Sequence, residues 1–307
     1  MPTPHEITAM RQAVALSALG LGTTSPNPPV GCVILDRHGD QVGAGFHRRK
    51  GEPHAEANAL ASAGSRAAGG TAVVTLEPCN HVGVTPACRQ LLLDADVVRV
   101  VIAIIDPTSR GDGGAAVLKA AGVDVEVGVL ANEAQAVLDP WLTATVRKRP
   151  WVVWLSSPLA DIDDPVDLPA MRDLRQQTDI VVCPDGRIVE GIPGGHGEGR
   201  FHHPAKIDFT DPIASLNQLF AGGARTALIV GETAFARELL ARGAIDRLSI
   251  DLPRANSDAH VTNHIRGLPF LGFRIEAVTT TPDSIRIAAR LDTPRSGSDS
   301  DNSVEGG

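Results

Sequence analysis

Three metal-type side chains and one carboxylate constrain this chain more than anything else in it: His54-Ala-Glu56, then Pro78-Cys79, then Cys88. One imidazole and two thiolates are ligands of the kind zinc prefers. Three protein ligands leave a fourth position for water, the open arrangement of a catalytic site rather than the closed one of a structural site. Zinc so held makes water nucleophilic near neutral pH. Glu56 lies two residues from His54 at the start of a predicted helix, where it reaches that water without ligating the metal. It is placed to take the water's proton and pass it to a ring nitrogen and a leaving amine.

The combination matches the zinc-deaminase signature His-x-Glu … Pro-Cys … Cys. Eight residues separate the two cysteines instead of two, so Asn80–Ala87 reads as an inserted loop that contributes to the substrate pocket. A lone His-x-Glu is commonly a surface pair, and isolated cysteines are usually small core residues. What separates this set from both is its order, the proline before Cys79, and its position just after a strand and at helix starts. Cys32, in mid-strand, and Cys183, at a strand end, take the core reading.

Periodicity places these residues in an α/β framework. Residues 5–20 predict a helix, and Gly22–Pro29 is turn-rich. Val30–Leu35 and Gln41–Gly45 predict strands, followed by helix Ala55–Ala63, strand Ala72–Leu76, helix Pro86–Ala95 and strand Val97–Ile105. Helix Ala115–Ala121, strand Val123–Val129 and helix Glu133–Val146 complete the unit, an alternation expected of a largely buried sheet. Arg147-Lys-Arg-Pro150 is the candidate boundary, dividing residues 1–148 from 149–292. In the second stretch, Trp151–Leu155, Ile180–Cys183, Thr226–Val230 and Leu248–Asp251 read as strands between helical segments. Residues 184–206, rich in Gly, Pro and His, read as a loop. Residues 293–307 carry the composition of a disordered tail.

Several functions are disfavoured. The net charge of −8, with no basic run, and the absence of Tyr argue against a nucleic-acid partner. No apolar run approaches the ~18 residues needed to span a bilayer. Met1–Thr24 lacks the pattern of a signal peptide, and four cysteines in 307 residues are no disulfide framework. The expectation is a cytoplasmic protein, without membrane partners, that pairs as a homodimer.

The chain resembles the bifunctional riboflavin-pathway deaminase/reductase family. The resemblance rests on Pro26-Asn-Pro-Pro-Val-Gly31, Gly45-Phe-His47 with Gly51, Pro53-His-Ala-Glu56, Val74-Thr-Leu-Glu-Pro-Cys-Asn-His81 with Gly83, Thr85-Pro-Ala-Cys88 and Ile105-Asp-Pro107. It spans about residues 5–150 and is looser from 150 to 255. It implies a cytidine-deaminase-like three-layer α/β domain followed by a smaller, degenerate dihydrofolate-reductase-like α/β domain. It also implies zinc as cofactor and a phosphorylated aminopyrimidine as substrate, 2,5-diamino-6-(5-phosphoribosylamino)pyrimidin-4-one. Asn27 would then hydrogen-bond the pyrimidine, with His47, Asn80, His81 and Thr85 lining the pocket or contacting the ribose phosphate. Gly31, Gly45 and Gly83 read most simply as turn or close-packing glycines.

Two departures weaken the phosphate site of the first unit: Val84 stands where the family places Arg or Lys, and the loop after Pro107 carries no Lys, although Arg110 is near. In the second unit the family's strand Lys, Ser-x-Asp-Gly, glycine cofactor loop and later Gly-Gly correspond here to Leu155, Leu159-Ala-Asp-Ile162, Val182-Cys-Pro-Asp-Gly186 and Gly231-Glu232. Residues 163–169 are too few for the family's substrate-binding insertion. NADPH binding is therefore not expected. The alternatives are a deaminase of another aminopyrimidine, purine or pterin-like substrate, a scaffold with a relic zinc site, and a fully bifunctional enzyme. The intact Glu56 speaks against the scaffold.

Overall fold

The structure, a computed structural model, describes residues 1–80, 86–109, 111–157, 169–197, 201–253, 272–280 and 284–291. Two sheets organise it. The first is built from β1 (Gly31–Leu35), β2 (Gln41–Phe46), β3 (Thr71–Leu76), β4 (Arg99–Ile104) and β5 (Asp124–Val127) in the order β2-β1-β3-β4-β5. β1 runs antiparallel to β2 and β3, and β3, β4 and β5 are parallel. The central strands are apolar on both faces because helices cover both. Cys32, Ile34, Val74 and Ile102 point to one core, which α2 (Ala55–Ala63), α3 (Cys88–Asp94) and α4 (Gly113–Ala120) close. Val33, Val73 and Val101 point to the other, closed by α1 (Pro4–Ala18) and the start of α5 (Ala131–Arg147). This is the expected three-layer arrangement.

Helix ends and glycines set the spacing. Thr3 caps α1 in a capping box with Glu6, and the buried Glu6 carboxylate also takes the Arg99 guanidinium at 2.6 Å. α2 lies directly on β2. A Cβ on Gly45 would meet the Ala59 backbone nitrogen at 2.6 Å, and one on Gly31 would meet the Ala13 carbonyl at 2.0 Å. Both glycines are required by close approach, as expected; Gly83 lies outside the described residues.

The second sheet holds seven strands: β6 (Trp151–Ser156), β7 (Ile180–Val182), β8 (Ile188–Glu190), β9 (Thr226–Val230), β10 (Arg247–Pro253), β11 (Phe273–Thr280) and β12 (Ser284–Leu291). Their order is β11-β12-β10-β6-β9-β7-β8. The middle four, β10-β6-β9-β7, are parallel. α7 (Pro212–Ala221) and α8 (Ala234–Ala241) pack on one face, and Met171 of α6 (Pro169–Gln176) on the other.

Two features differ from the reading of the sequence. Within 184–206, residues 188–190 form β8, which pairs antiparallel with β7; the Gly-rich flanks hide so short a strand. The β11–β12 hairpin leaves no signal in the sequence, because β11 exposes nearly all its side chains and shows no buried apolar alternation. The expected disordered tail lies outside the described residues, as do 158–168, which hold the Leu159–Ile162 departure.

The two units are pinned to one another. Asp246 accepts from the Arg147 and Arg149 guanidiniums and from the Val152 backbone N–H. Arg290 pairs with Asp139 of α5. The 20–28 loop also meets the second unit: a Cβ on Gly22 would lie 2.7 Å from the Gln176 carbonyl, and the Ser25 hydroxyl hydrogen-bonds to Asp179.

Candidate active site

His54 occupies the N-cap position of α2, and Glu56 lies in its first turn. Cys79 follows β3, and Cys88 opens α3. The sequence folds this way because β3 ends at Glu77, whose carboxylate holds the neighbouring loop between β4 and α4. It accepts from the Asp106 N–H at 3.3 Å, the Ser109 hydroxyl at 2.6 Å and the Ala115 N–H at 2.9 Å. A Cβ on Gly114 would lie 1.9 Å from the Pro78 carbonyl, so the start of α4 is pressed against the Pro78–Cys79 corner.

The ligand atoms of His54, Cys79 and Cys88 all lie within 4.8 Å of one another. Cys88 Sγ is 3.3 Å from His54 Nδ1, and the Cys88 N–H donates to Cys79 Sγ at 3.2 Å. Tetrahedral zinc–sulfur and zinc–nitrogen bonds of ~2.3 and ~2.0 Å need ligand atoms roughly 3.5–3.8 Å apart, so the set fits zinc with little adjustment. The Cys79 thiol is drawn down to about 4, chiefly by the hydrogen bond shared with Cys88, whose own thiol is pushed up. His54 is raised by its hydrogen bond to Cys79.

Glu56 is 3% exposed. Burial raises its carboxyl above the ordinary range, against the opposing pull of His54. Cys32 lies near Glu56 but is fully buried and pushed well up by that burial; it is a core residue, as read. Cys183 is buried as well.

A cavity of about 470 Å³ opens onto this centre, lined by Asn27, His47, His54, Glu56 and Cys79 from the first unit, among others. His47 is 2% exposed, and burial depresses its imidazole to about 4, so it is neutral. Its Nδ1 faces the Pro53 carbonyl at 3.1 Å and its Nε2 faces Asn27 Nδ2 at 3.2 Å. A carbonyl only accepts, so Nδ1 carries the proton and Nε2 accepts from the Asn27 amide. That leaves the Asn27 carbonyl oxygen for another partner. The Trp141 indole N–H donates to the Pro26 carbonyl at 2.9 Å and steadies the same loop. Asn80 accepts from Arg89. His81, Thr85, Val84 and Arg110 lie outside the described residues.

The cavity also has walls that the sequence did not reveal. Trp141, Thr145 and Lys148 come from the end of α5 and its cap, and Phe220 and Arg225 come from the second unit. Only tertiary packing brings α7 and the 223–226 turn beside the first unit, and no local signal marks them.

Residues 4–104 match the cytidine and deoxycytidylate deaminase zinc-binding region. Over 132 residues the chain is 48% identical to the diaminohydroxyphosphoribosylamino-pyrimidine deaminase of Buchnera aphidicola subsp. Acyrthosiphon pisum, covering 43% of this chain and 89% of that one. The chain belongs to this deaminase family. Riboflavin biosynthesis protein RibD of Escherichia coli is 50% identical over 127 residues, 41% of this chain and 34% of that protein. Sequence similarity to this longer relative therefore spans about a third of its length. The crystal structure of a diaminohydroxyphosphoribosylaminopyrimidine deaminase/5-amino-6-(5-phosphoribosylamino)uracil reductase from Thermotoga maritima superposes with a TM-score of 0.73. The superposition covers 94% of this chain and 99% of that one at 22% identity. The family's two-unit fold thus extends through the second sheet. This family member is a zinc-dependent aminohydrolase of the pyrimidine-deaminase type.

Proposed function

We propose that the chain hydrolyses 2,5-diamino-6-(5-phosphoribosylamino)pyrimidin-4-one to the corresponding uracil and ammonia, a step of riboflavin formation, and that its second unit does not reduce the product. The observation that carries the first part is the convergence of Asn27, His54, Glu56 and Cys79 on one cavity, with Cys88 within metal-ligating reach of His54 and Cys79. His54, Cys79 and Cys88 would hold a zinc ion, which would supply Lewis acidity and activate water. Glu56 accepts the proton released by the attacking water and returns protons to the ring nitrogen and then to the departing amine. The Asn27 carbonyl oxygen, aimed by the His47 bond, accepts from a ring N–H or amino group. Water, the diaminopyrimidinone and the products balance without a redox partner. Ammonia release from the phosphorylated substrate and from its dephosphorylated riboside tests the assignment. A strong preference for the phosphate is expected, and equal turnover would point to a different pyrimidine.

For the second part, the 183–187 turn supports a lost cofactor site. Pro184 has no N–H to offer. The Gly186 N–H is spent on the Cys183 carbonyl at 2.9 Å, and the Arg187 N–H on the Asp185 carboxylate at 3.0 Å. Dinucleotide phosphates are commonly bound by free amides of glycine-rich loops. Carboxylates stand at two places instead, Asp185 paired with Arg187 at 2.6 Å and Glu232 with Arg237 at 3.8 Å. Titration with NADPH is expected to show no binding in the micromolar range. Micromolar binding with product-dependent NADPH oxidation would overturn this part.

A further inference from the structure

The cavity is lined by groups of both charges. Its acidic groups, Glu56, Glu77 and Asp106, belong to the first unit, and Glu56 lies with the metal ligands. Its Lys and Arg, among the described residues, are two: Lys148, at the cap of α5, and Arg225, just before β9 of the second unit. Both bracket Phe220, with the Arg225 guanidinium 3.9 Å and the Lys148 ammonium 6.0 Å from the ring centroid.

Arg225 is only partly satisfied. Its Nη1 donates to the Phe220 and Ala224 carbonyls, each at 3.1 Å. Its Nε is buried without a hydrogen-bond partner among the described residues. The nearby buried Asp179 attracts it only through space, because that carboxylate spends its hydrogen bonds on the His196 imidazole and on the Arg225 and Thr226 backbone N–H groups rather than on the guanidinium. Neither Arg225 nor Lys148 has a salt bridge among the described residues. A half-buried guanidinium stacked on an aromatic ring, lining a cavity and in no salt bridge among the described residues, suits an anion. The planar guanidinium suits phosphate in particular.

We propose that Arg225 and Lys148 hold the 5′-phosphate of the deaminase substrate, so that the second unit supplies the specificity-determining wall of the first unit's active site. This rests on the phosphorylated substrate proposed above. The ring would lie against Asn27 and Glu56 and the phosphate against Arg225 and Lys148. A second unit that no longer reduces anything would still be needed for deamination.

The test uses the full-length, zinc-loaded protein and the ratio of kcat/KM for the phosphorylated substrate to that for its riboside. In Arg225→Gln the ratio is expected to fall at least tenfold, through KM for the phosphorylated substrate. Arg225→Lys should recover part of it, and ribose 5-phosphate should lose potency as a competitive inhibitor. Lys148→Gln, a change at an exposed side chain that leaves the fold intact, should lower the ratio in the same direction. If the wild-type protein prefers the phosphate but both Gln variants keep its ratio, the phosphate is bound elsewhere and this proposal is overturned while the substrate stands. If the wild-type protein shows no preference, the substrate reading fails and the proposal falls with it.

Discussion

Replacing His47 with alanine cuts the link that orients Asn27. The imidazole bridges the Pro53 carbonyl and the Asn27 amide at 3.1 and 3.2 Å. The Pro53 carbonyl would keep a partner, because Asn58 Nδ2 also donates to it at 3.2 Å. The Asn27 amide would not, and its carboxamide would be free to turn its N–H groups toward the substrate. Leaving one such group unsatisfied costs about 1–3 kcal/mol, which in kcat/KM is roughly a 5- to 150-fold loss. Asn27→Ala should lose a similar amount. If the two act as one chain, His47→Ala/Asn27→Ala should lose little more than either alone, a coupling far from additive. The assay is ammonia release over a range of substrate concentrations, with zinc content measured in parallel because the His47 ring lies edge-on to His54 at 5.1 Å. Additive losses at full zinc occupancy would refute the orienting role.

Two further outcomes follow from the same geometry. Purified protein should carry about one zinc per chain, and Cys79→Ser and Cys88→Ser should each lose most of it, since three ligands hold the ion; full zinc in both variants by elemental analysis would exclude the site. Asp179 should make the fold acid-sensitive. Burial alone would push its carboxyl up, but hydrogen bonds from His196, the Arg225 N–H and Ser25 hold it below the ordinary carboxylate range. Its contribution is therefore complete above that range, near pH 4, and is lost as pH falls through the depressed folded-state value. Urea unfolding across pH should show this loss, and an equal acid slope in Asp179→Asn would contradict it.

What could be read from the chain was what is local. His54, Glu56, Cys79 and Cys88 sit at strand–helix junctions, so the motif and the apolar runs of β1, β3 and β4 place them without knowledge of the whole molecule. Ala55–Ala63 is a helix with the expected bounds. The roles of Glu77 and Trp141 depend on which loop each side chain reaches, 29–38 residues away for Glu77 and 115 for Trp141. Phe220 and Arg225 were invisible for the same reason, since a wall contributed by another unit leaves no periodic trace near the motif. β8 and the β11–β12 hairpin escaped because short or exposed strands bury too little to impose an alternation.

In the proposed reaction Glu56 moves protons beside a zinc held by His54, Cys79 and Cys88. The most direct measurement is ammonia release by Glu56→Gln together with its zinc content. The amide keeps the shape of the side chain but cannot shuttle a proton. Zinc and melting behaviour should be retained, with a loss of ~10²–10⁴-fold or more in kcat, the range of a positioned acid–base group. A zinc-replete Glu56→Gln protein working within tenfold of wild type would contradict it.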